Sequence, residues 1–226
     1  MKIGIIVAMQ KELDLLLPLV NDYKSRQVNG VTLYEGKLGN HELTMMQCGI
    51  GKVNAAIGAM TLIDASSPAL VINSGVAGGT GSGAKILDVV VGDRVAYHDV
   101  WCGPCGAPRG CVQGLPQYFE APSQVLDSPV FNSEGVMRGL IASGDQFVDS
   151  EEMLSAIKAI YPDVMAVDME SAAIAQTCYL KNVPFVSIRV VSDTPGSEDN
   201  TSQYKSFWDD APRHTFEVLL SLLESL

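Results

Sequence analysis

Positive charge is scarce in this chain. Its 226 residues hold 15 Lys and Arg against 26 Asp and Glu, a formal net charge of −11, and no Lys/Arg cluster offsets that total. Nucleic acids and anionic membrane surfaces both demand a basic face, so neither is expected as a partner. Long apolar runs are missing too. The longest uncharged stretch, between Asp64 and Lys85, is broken by proline, serine, asparagine and several glycines, whereas a membrane-spanning helix needs about 20 predominantly apolar residues in a row. Residues 3–9 imitate the apolar part of a short signal peptide, but Lys11, Glu12 and Asp14 follow at once with no cleavage-like site. A first buried strand is the expectation there. Cysteines number five, Cys48, Cys102, Cys105, Cys111 and Cys178. An odd count without a secretion signal argues against a disulfide framework and for the reducing cytoplasm.

Internal repeats, low-complexity tracts and linkers are also absent. With 47% hydrophobic and 18% charged residues the chain can bury a real core, and its length suits one α/β domain of about 200–250 residues. Residues 1–226 are therefore expected to form a single domain.

Strand-like and helix-like segments alternate. Residues 2–8 read as a buried strand, and Leu13, Leu16, Leu17 and Val20 then recur with helical spacing. Residues 31–38 and 41–48 flank Gly39-Asn40, a hairpin signal. An alanine-rich helix is expected over 52–65, a strand over 69–73, a glycine-rich segment over 75–83 and a strand over 86–97. Residues 98–130 carry so many glycines and prolines that a long loop is expected, and such loops usually serve function. A strand over 136–143, a helix over 150–160, a strand over 164–167, a helix over 169–181 and a strand over 185–191 follow. A last helix shows Phe216, Leu219, Leu220 and Leu223 on one face. This is the pattern of a three-layer α/β fold.

Two glycine and cysteine motifs are incomplete. Gly79, Gly81 and Ala84 satisfy a loose dinucleotide pattern, but a strand rather than a helix follows, and Ala84 stands where a phosphate-binding loop needs lysine. His98, Asp99, Cys102, Cys105 and Cys111 include a single C-x-x-C, half of a usual zinc set. Free thiols are expected, and no metal.

Three carboxylates are more informative. Glu12, Glu170 and Asp193 each follow a strand, where open α/β sheets place their ligand crevice. Glycosidic cleavage passes through an oxocarbenium-like species and uses one carboxylic acid to protonate the leaving group and one carboxylate to activate water. Each acid is also explicable by itself, as a favourable first-turn charge or a turn former, and composition and spacing go no further.

The order and spacing of several motifs do. Residues 1–9 with Glu12, Gly49-Ile50-Gly51-Lys52-Val53-Asn54, Asn73-Ser74-Gly75-Val76-Ala77-Gly78-Gly79, Val91-Gly92-Asp93, residues 143–148, Val167-Asp168-Met169-Glu170 and Arg189-Val190-Val191-Ser192-Asp193 run nearly the length of the chain. In that order they resemble the 5′-methylthioadenosine/S-adenosylhomocysteine nucleosidase family, within the nucleoside phosphorylase/hydrolase superfamily. The resemblance implies a three-layer αβα sandwich with a mixed central sheet, a homodimer and no cofactor. It implies hydrolysis of the N-glycosidic bond of an adenine nucleoside carrying a 5′-thio group, with 5′-deoxyadenosine as a further candidate. Asp193 then matches the general acid at adenine N7, with its carboxyl raised by burial, and Glu12 the residue that holds and activates water. Glu170 matches the acceptor for the ribose hydroxyls, kept ionised by its helix N-terminus. Met169 would pack under the sugar, Phe147 would stack on the purine and the Val148 backbone would read its edge. Ser192, Val76, Ala77, Gly78, Met9 and Ile50 would line the site, Arg189 would orient the acids, and Tyr204 and Phe207 would cap the pocket. Purine nucleoside phosphorylases and futalosine- or AMP-type hydrolases of the same superfamily stay open as alternatives. Glu12 favours hydrolysis, because an ionised carboxylate repels phosphate and suits water. The sequence departs from the family pattern most in residues 101–117, the region that in relatives helps form the 5′-substituent pocket.

Overall fold

The structure is a computed structural model that describes residues 1–103, 106–210 and 212–226; the side chains of Asn21 and of residues 209–216 also lie outside the description. Its frame follows from strand alternation. In β1 (Lys2–Val7), Ile3, Ile5 and Val7 point to one side and Ile6 to the other. The first set packs with Leu13 and Leu16 of α1 (Gln10–Leu16) and Leu219, Leu222 and Leu223 of α7 (Pro212–Ser225). Ile6 packs with Ala55, Ala59 and Leu62 of α2 (Lys52–Ser66) and with residues 172–175 of α5 (Ser171–Lys181). Full burial of each such isoleucine or leucine contributes about 1.5–3 kcal/mol. A strand apolar on both faces must lie inside helical layers, as the sequence pattern implied.

Among the described residues ten strands form one mixed sheet. Its path runs β10 (Phe185–Asp193), β6 (Val89–Tyr97), β8 (Val136–Ser143), β9 (Val164–Asp168), β5 (Leu70–Gly79), β1, β4 (His41–Gln47), β3 (Val31–Leu38) and β2 (Asn21–Val28), with β7 (Phe119–Glu120) on β6. β10 also pairs in parallel with β5, from Phe185↔Val71 to Val191↔Ala77. β5, β10, β6, β8 and β9 therefore close into a ring. A smaller core beneath α4 (Glu151–Ile160) joins Leu154, Ile157 and Tyr161 to Leu140 and Val164.

Several elements differ from expectation. β2 was not expected, since NDYKSRQV is mostly polar; it is an edge strand, where polar side chains discourage further pairing. β5 runs on through the glycine-rich segment to Gly79, because β10 on one side and β9 on the other supply its hydrogen bonds. β6 begins at Val89, three residues late, after a turn in which Asp88 Oδ2 accepts from Lys85 N. The second half of the expected loop 98–130 carries β7 and α3 (Ser123–Leu126). A further helix, α6 (Asn200–Asp210), precedes α7. On α7 Leu222 is buried and Leu220 only half-buried, so the buried face lies slightly round from the one predicted; the Phe216 side chain lies outside the described residues.

Candidate active site

One cavity opens where β1, β5, β9 and β10 end. Its lining includes Met9, Glu12, Ile50, Val76, Ala77, Gly78, Phe147, Val148, Met169, Glu170, Arg189, Ser192 and Asp193. All the site residues singled out in the sequence except Phe207 thus border one space. Ala8, Gln146, Val167, Asp168 and Tyr204 complete the wall.

Glu12 sits in the first turn of α1, 2% exposed. Its Oε2 accepts from the backbone N–H groups of Ala8 and Met9, both at 2.9 Å, and its Oε1 from Val76 N at 3.2 Å. Met9 is the N-cap of α1 and Glu12 its N3 residue, whose carboxylate reaches back to the N-cap N–H as in a capping box, with Ala8 N adding a donor from just before the helix, so the fold pins this carboxylate without using another side chain. Burial raises its pKa, while nearby Arg189 and the three backbone donors oppose the rise.

Asp193 ends β10 at a register shift: Val191 pairs with Ala77 but Asp193 with Gly78, so Ser192 is an extra residue. Such a bulge re-aims the following side chain. Asp193 Oδ1 lies 2.5 Å from Ser192 Oγ, and Oδ2 accepts from Asn200 Nδ2 at 2.6 Å. Burial raises its carboxyl above the ordinary value, against the two hydrogen bonds that lower it. That is the direction expected of an acid that must hold a proton.

Glu170 departs from expectation. α5 begins at Ser171, so Glu170 is the capping residue before the helix, and burial pushes its pKa up to about 7 although Arg189 opposes the rise. The helix N-terminus does not keep it fully ionised, because desolvation of a buried carboxyl outweighs a partial dipole charge. Its Oε1 accepts from Gly51 N at 3.0 Å. Gly51 has φ +93, and a Cβ there would lie 3.1 Å from Asp145 Oδ1, so both backbone shape and space favour glycine.

Arg189, 1% exposed, is enclosed by partners. It pairs with Asp168 Oδ2 at 2.6 Å and lies 3.7 Å from Glu170 Oε2. It also donates to Asn73 Oδ1 and to Ser171 Oγ. Asp168 in turn accepts from the hydroxyls of Ser143 and Ser171. A buried charge needs such a complete set of partners. Asn73, Ser143, Asp168 and Ser171 had no functional reading in the sequence, since single small polar residues in apolar strands carry no periodic signal.

Over the mouth, Phe147 is 44% exposed and meets Tyr204 edge-on, with centroids 5.5 Å apart. The Tyr204 hydroxyl reaches Met9 Sδ at 3.4 Å. Tyr204 therefore caps the cavity as expected. Phe207 does not: it is buried in the core beside α7. Lys52 pairs with Asp99 at 2.7 Å, and Lys52 N donates to Asp145 Oδ1 at 2.7 Å, fastening α2 to the turn that carries Phe147.

Among the described residues Arg189 is the one Lys or Arg lining the cavity, and its charge is already met by Asp168 and Glu170. Among the described residues no group of three or more His, Cys, Asp and Glu is placed to hold a metal; Cys105 of the cysteine cluster lies outside them. No helix among them is long and apolar enough to cross a membrane.

A family model described as the phosphorylase superfamily matches residues 2–224. The chain is 38% identical to a 5′-methylthioadenosine/S-adenosylhomocysteine nucleosidase of Haemophilus influenzae, strain PittEE, over 100% of both chains. It superposes at TM-score 0.94 on the S-adenosylhomocysteine nucleosidase of Streptococcus pyogenes in complex with 5-methylthiotubericidin, with 38% identity over 100% of this chain and 97% of the other. The futalosine hydrolase of Helicobacter pylori has the same fold, with TM-score 0.92 and 29% identity over 100% of this chain and 98% of the other.

Proposed function

The chain belongs to the phosphorylase superfamily and, within it, to the 5′-methylthioadenosine/S-adenosylhomocysteine nucleosidases, and from that premise we infer that it hydrolyses the N-glycosidic bond of 5′-methylthioadenosine and S-adenosylhomocysteine. The products are adenine and the 5-thio-substituted ribose.

In the proposed reaction Asp193 gives its proton to adenine N7 as the C1′–N9 electron pair leaves with the base. Water held by Glu12 adds to C1′ and yields its proton to that carboxylate. Returning one proton to Asp193 and releasing the other from Glu12 balances the cycle. General acid and base steps each contribute about 10²–10⁴-fold. Glu170 accepts from the ribose hydroxyls, Met169 packs under the sugar, Phe147 stacks on the base and the Val148 backbone reads its edge. The remaining lining residues shape the pocket.

The observation that carries hydrolysis over phosphorolysis is the pairing of Arg189. Phosphate beside C1′ would need free cations or clustered backbone donors. Here the backbone N–H groups near Glu12 are spent on its carboxylate, and the one cation among the described residues of the cavity wall is spent on Asp168 and Glu170. Adenine release from methylthioadenosine in phosphate-free buffer tests the assignment.

The working form is proposed to be a homodimer. Val53, Ile57 and Met60 stand along one face of α2 at 70%, 54% and 43% exposure, and Tyr179 and Leu180 of the packed α5 add to them. An exposed apolar patch of this kind marks an interaction site. The cytoplasm is the proposed compartment, supported by free thiols at Cys48, Cys102, Cys111 and Cys178; fractionation of the native cell checks it.

A further inference from the structure

Asp193 is held from two sides. Ser192 Oγ lies 2.5 Å from Oδ1 and 3.2 Å from Ala77 O. When Asp193 is ionised the hydroxyl donates to Oδ1; when Oδ1 carries a proton, Ser192 Oγ accepts that hydrogen bond and donates its own proton to Ala77 O. Oδ2 has a different neighbour, the Asn200 amide at 2.6 Å, which presents N–H. Asn200 is 3% exposed, and its own Oδ1 is buried without a hydrogen-bond partner. Leaving an amide oxygen orphaned costs stability. A residue kept only to start α6 would have no reason to aim its donor at a carboxylate and leave its acceptor empty.

We propose that Asn200 is a positioning residue for the acid: its amide holds Asp193 Oδ2 as the proton-free oxygen, so that Oδ1 carries the proton delivered to the leaving base. This rests on the nucleosidase reading above. When the Oδ1–H bond breaks and N7–H forms, Asp193 is left as a carboxylate. The Asn200 hydrogen bond then becomes charge-assisted, about twice as strong as a neutral one. It strengthens during the step, as a catalytic interaction must. α6 brings Asn200 and the capping Tyr204 together, and Gln203 Oε1 ties the same helix to Thr194 N at 2.8 Å. Among the described residues, the charged or titratable groups that line the same cavity as Asp193 are Glu12 on α1, Asp168 at the end of β9, Glu170 before α5, Arg189 on β10 and Tyr204 on α6.

The experiment compares wild type, Asn200→Ala and the near-isosteric Asn200→Asp by kcat, KM and the pH profile of kcat/KM with methylthioadenosine. In Asn200→Ala, kcat should fall about 10-fold or more while KM stays within about threefold, as misplacement of a catalytic group predicts. Loss of a donor to the ionised form makes Asp193 a weaker acid, so the pH optimum should move upward in both variants. An unmoved optimum in both variants, whatever happens to kcat, would overturn the proposal and leave Asn200 a structural residue. Absence of adenine release by wild type would instead sink the nucleosidase reading.

Discussion

A Cβ at position 75 would lie 2.3 Å from Arg189 Nη1, and 2.5 Å from Glu12 Oε1. Gly75 is therefore what lets the Glu12 carboxylate and the buried guanidinium press against β5 together. Neither neighbour can yield, since Glu12 is fixed by backbone donors and Arg189 by Asp168 and Asn73. Gly75→Ala should destabilise by about 1–3 kcal/mol, as overpacking does, lowering Tm by about 2–4 °C per kcal/mol for a chain of this size. Adenine release should drop with it. Calorimetry and turnover within error of wild type would refute the constraint.

Asp193→Asn should bind methylthioadenosine yet turn over at least ~100-fold more slowly, because an amide cannot transfer the proton. Glu12→Gln should be similarly damaged while remaining folded. Binding measured by calorimetry separates lost chemistry from lost affinity. Near-normal turnover in either variant removes that residue from its role.

Glu170 gives a pH dependence of known sign. Its carboxyl moves from 4.5 to about 7 on folding, so between those values the folded protein holds a proton that the unfolded chain has lost. Stability from this group is full below about 4.5 and is lost as pH rises through about 7. Glu12 and Asp193 act in the same direction, while His98, whose pKa is lowered by burial, acts in the other. Tm of the unliganded protein measured across this window in wild type and Glu170→Gln isolates the term. The variant should lack part of the decline; identical slopes would contradict the assignment.

Charge on the apolar face of α2 should separate the proposed dimer. Ile57→Glu is expected to shift the mass seen by sedimentation from two chains to one, at unchanged secondary structure. A wild-type protein sedimenting as a monomer would dispose of the proposal.

The layers of the fold were legible because their signals are local. The alternation in β1 and the alanine face of α2 each survive in one dimension. The closure of β5 on β10 was not, because it depends on pairing between strands more than 100 residues apart. The site divides the same way. Glu12, Glu170 and Asp193 stood out as acids after strands, and the raised carboxyl of Asp193 was expected from the resemblance, but that of Glu170 was not: burial, helped by neighbouring Asp168 and Glu12, pushes it up to about 7. Asn200 was hidden by the polar, turn-rich run 194–200, in which asparagine is an ordinary residue.

The most direct test follows adenine released from methylthioadenosine by wild-type protein, with phosphate removed and then restored. Equal rates in both conditions, with free 5-methylthioribose as the second product, are predicted. An absolute requirement for phosphate, with the sugar recovered as its 1-phosphate, would contradict the roles given to Glu12 and Arg189.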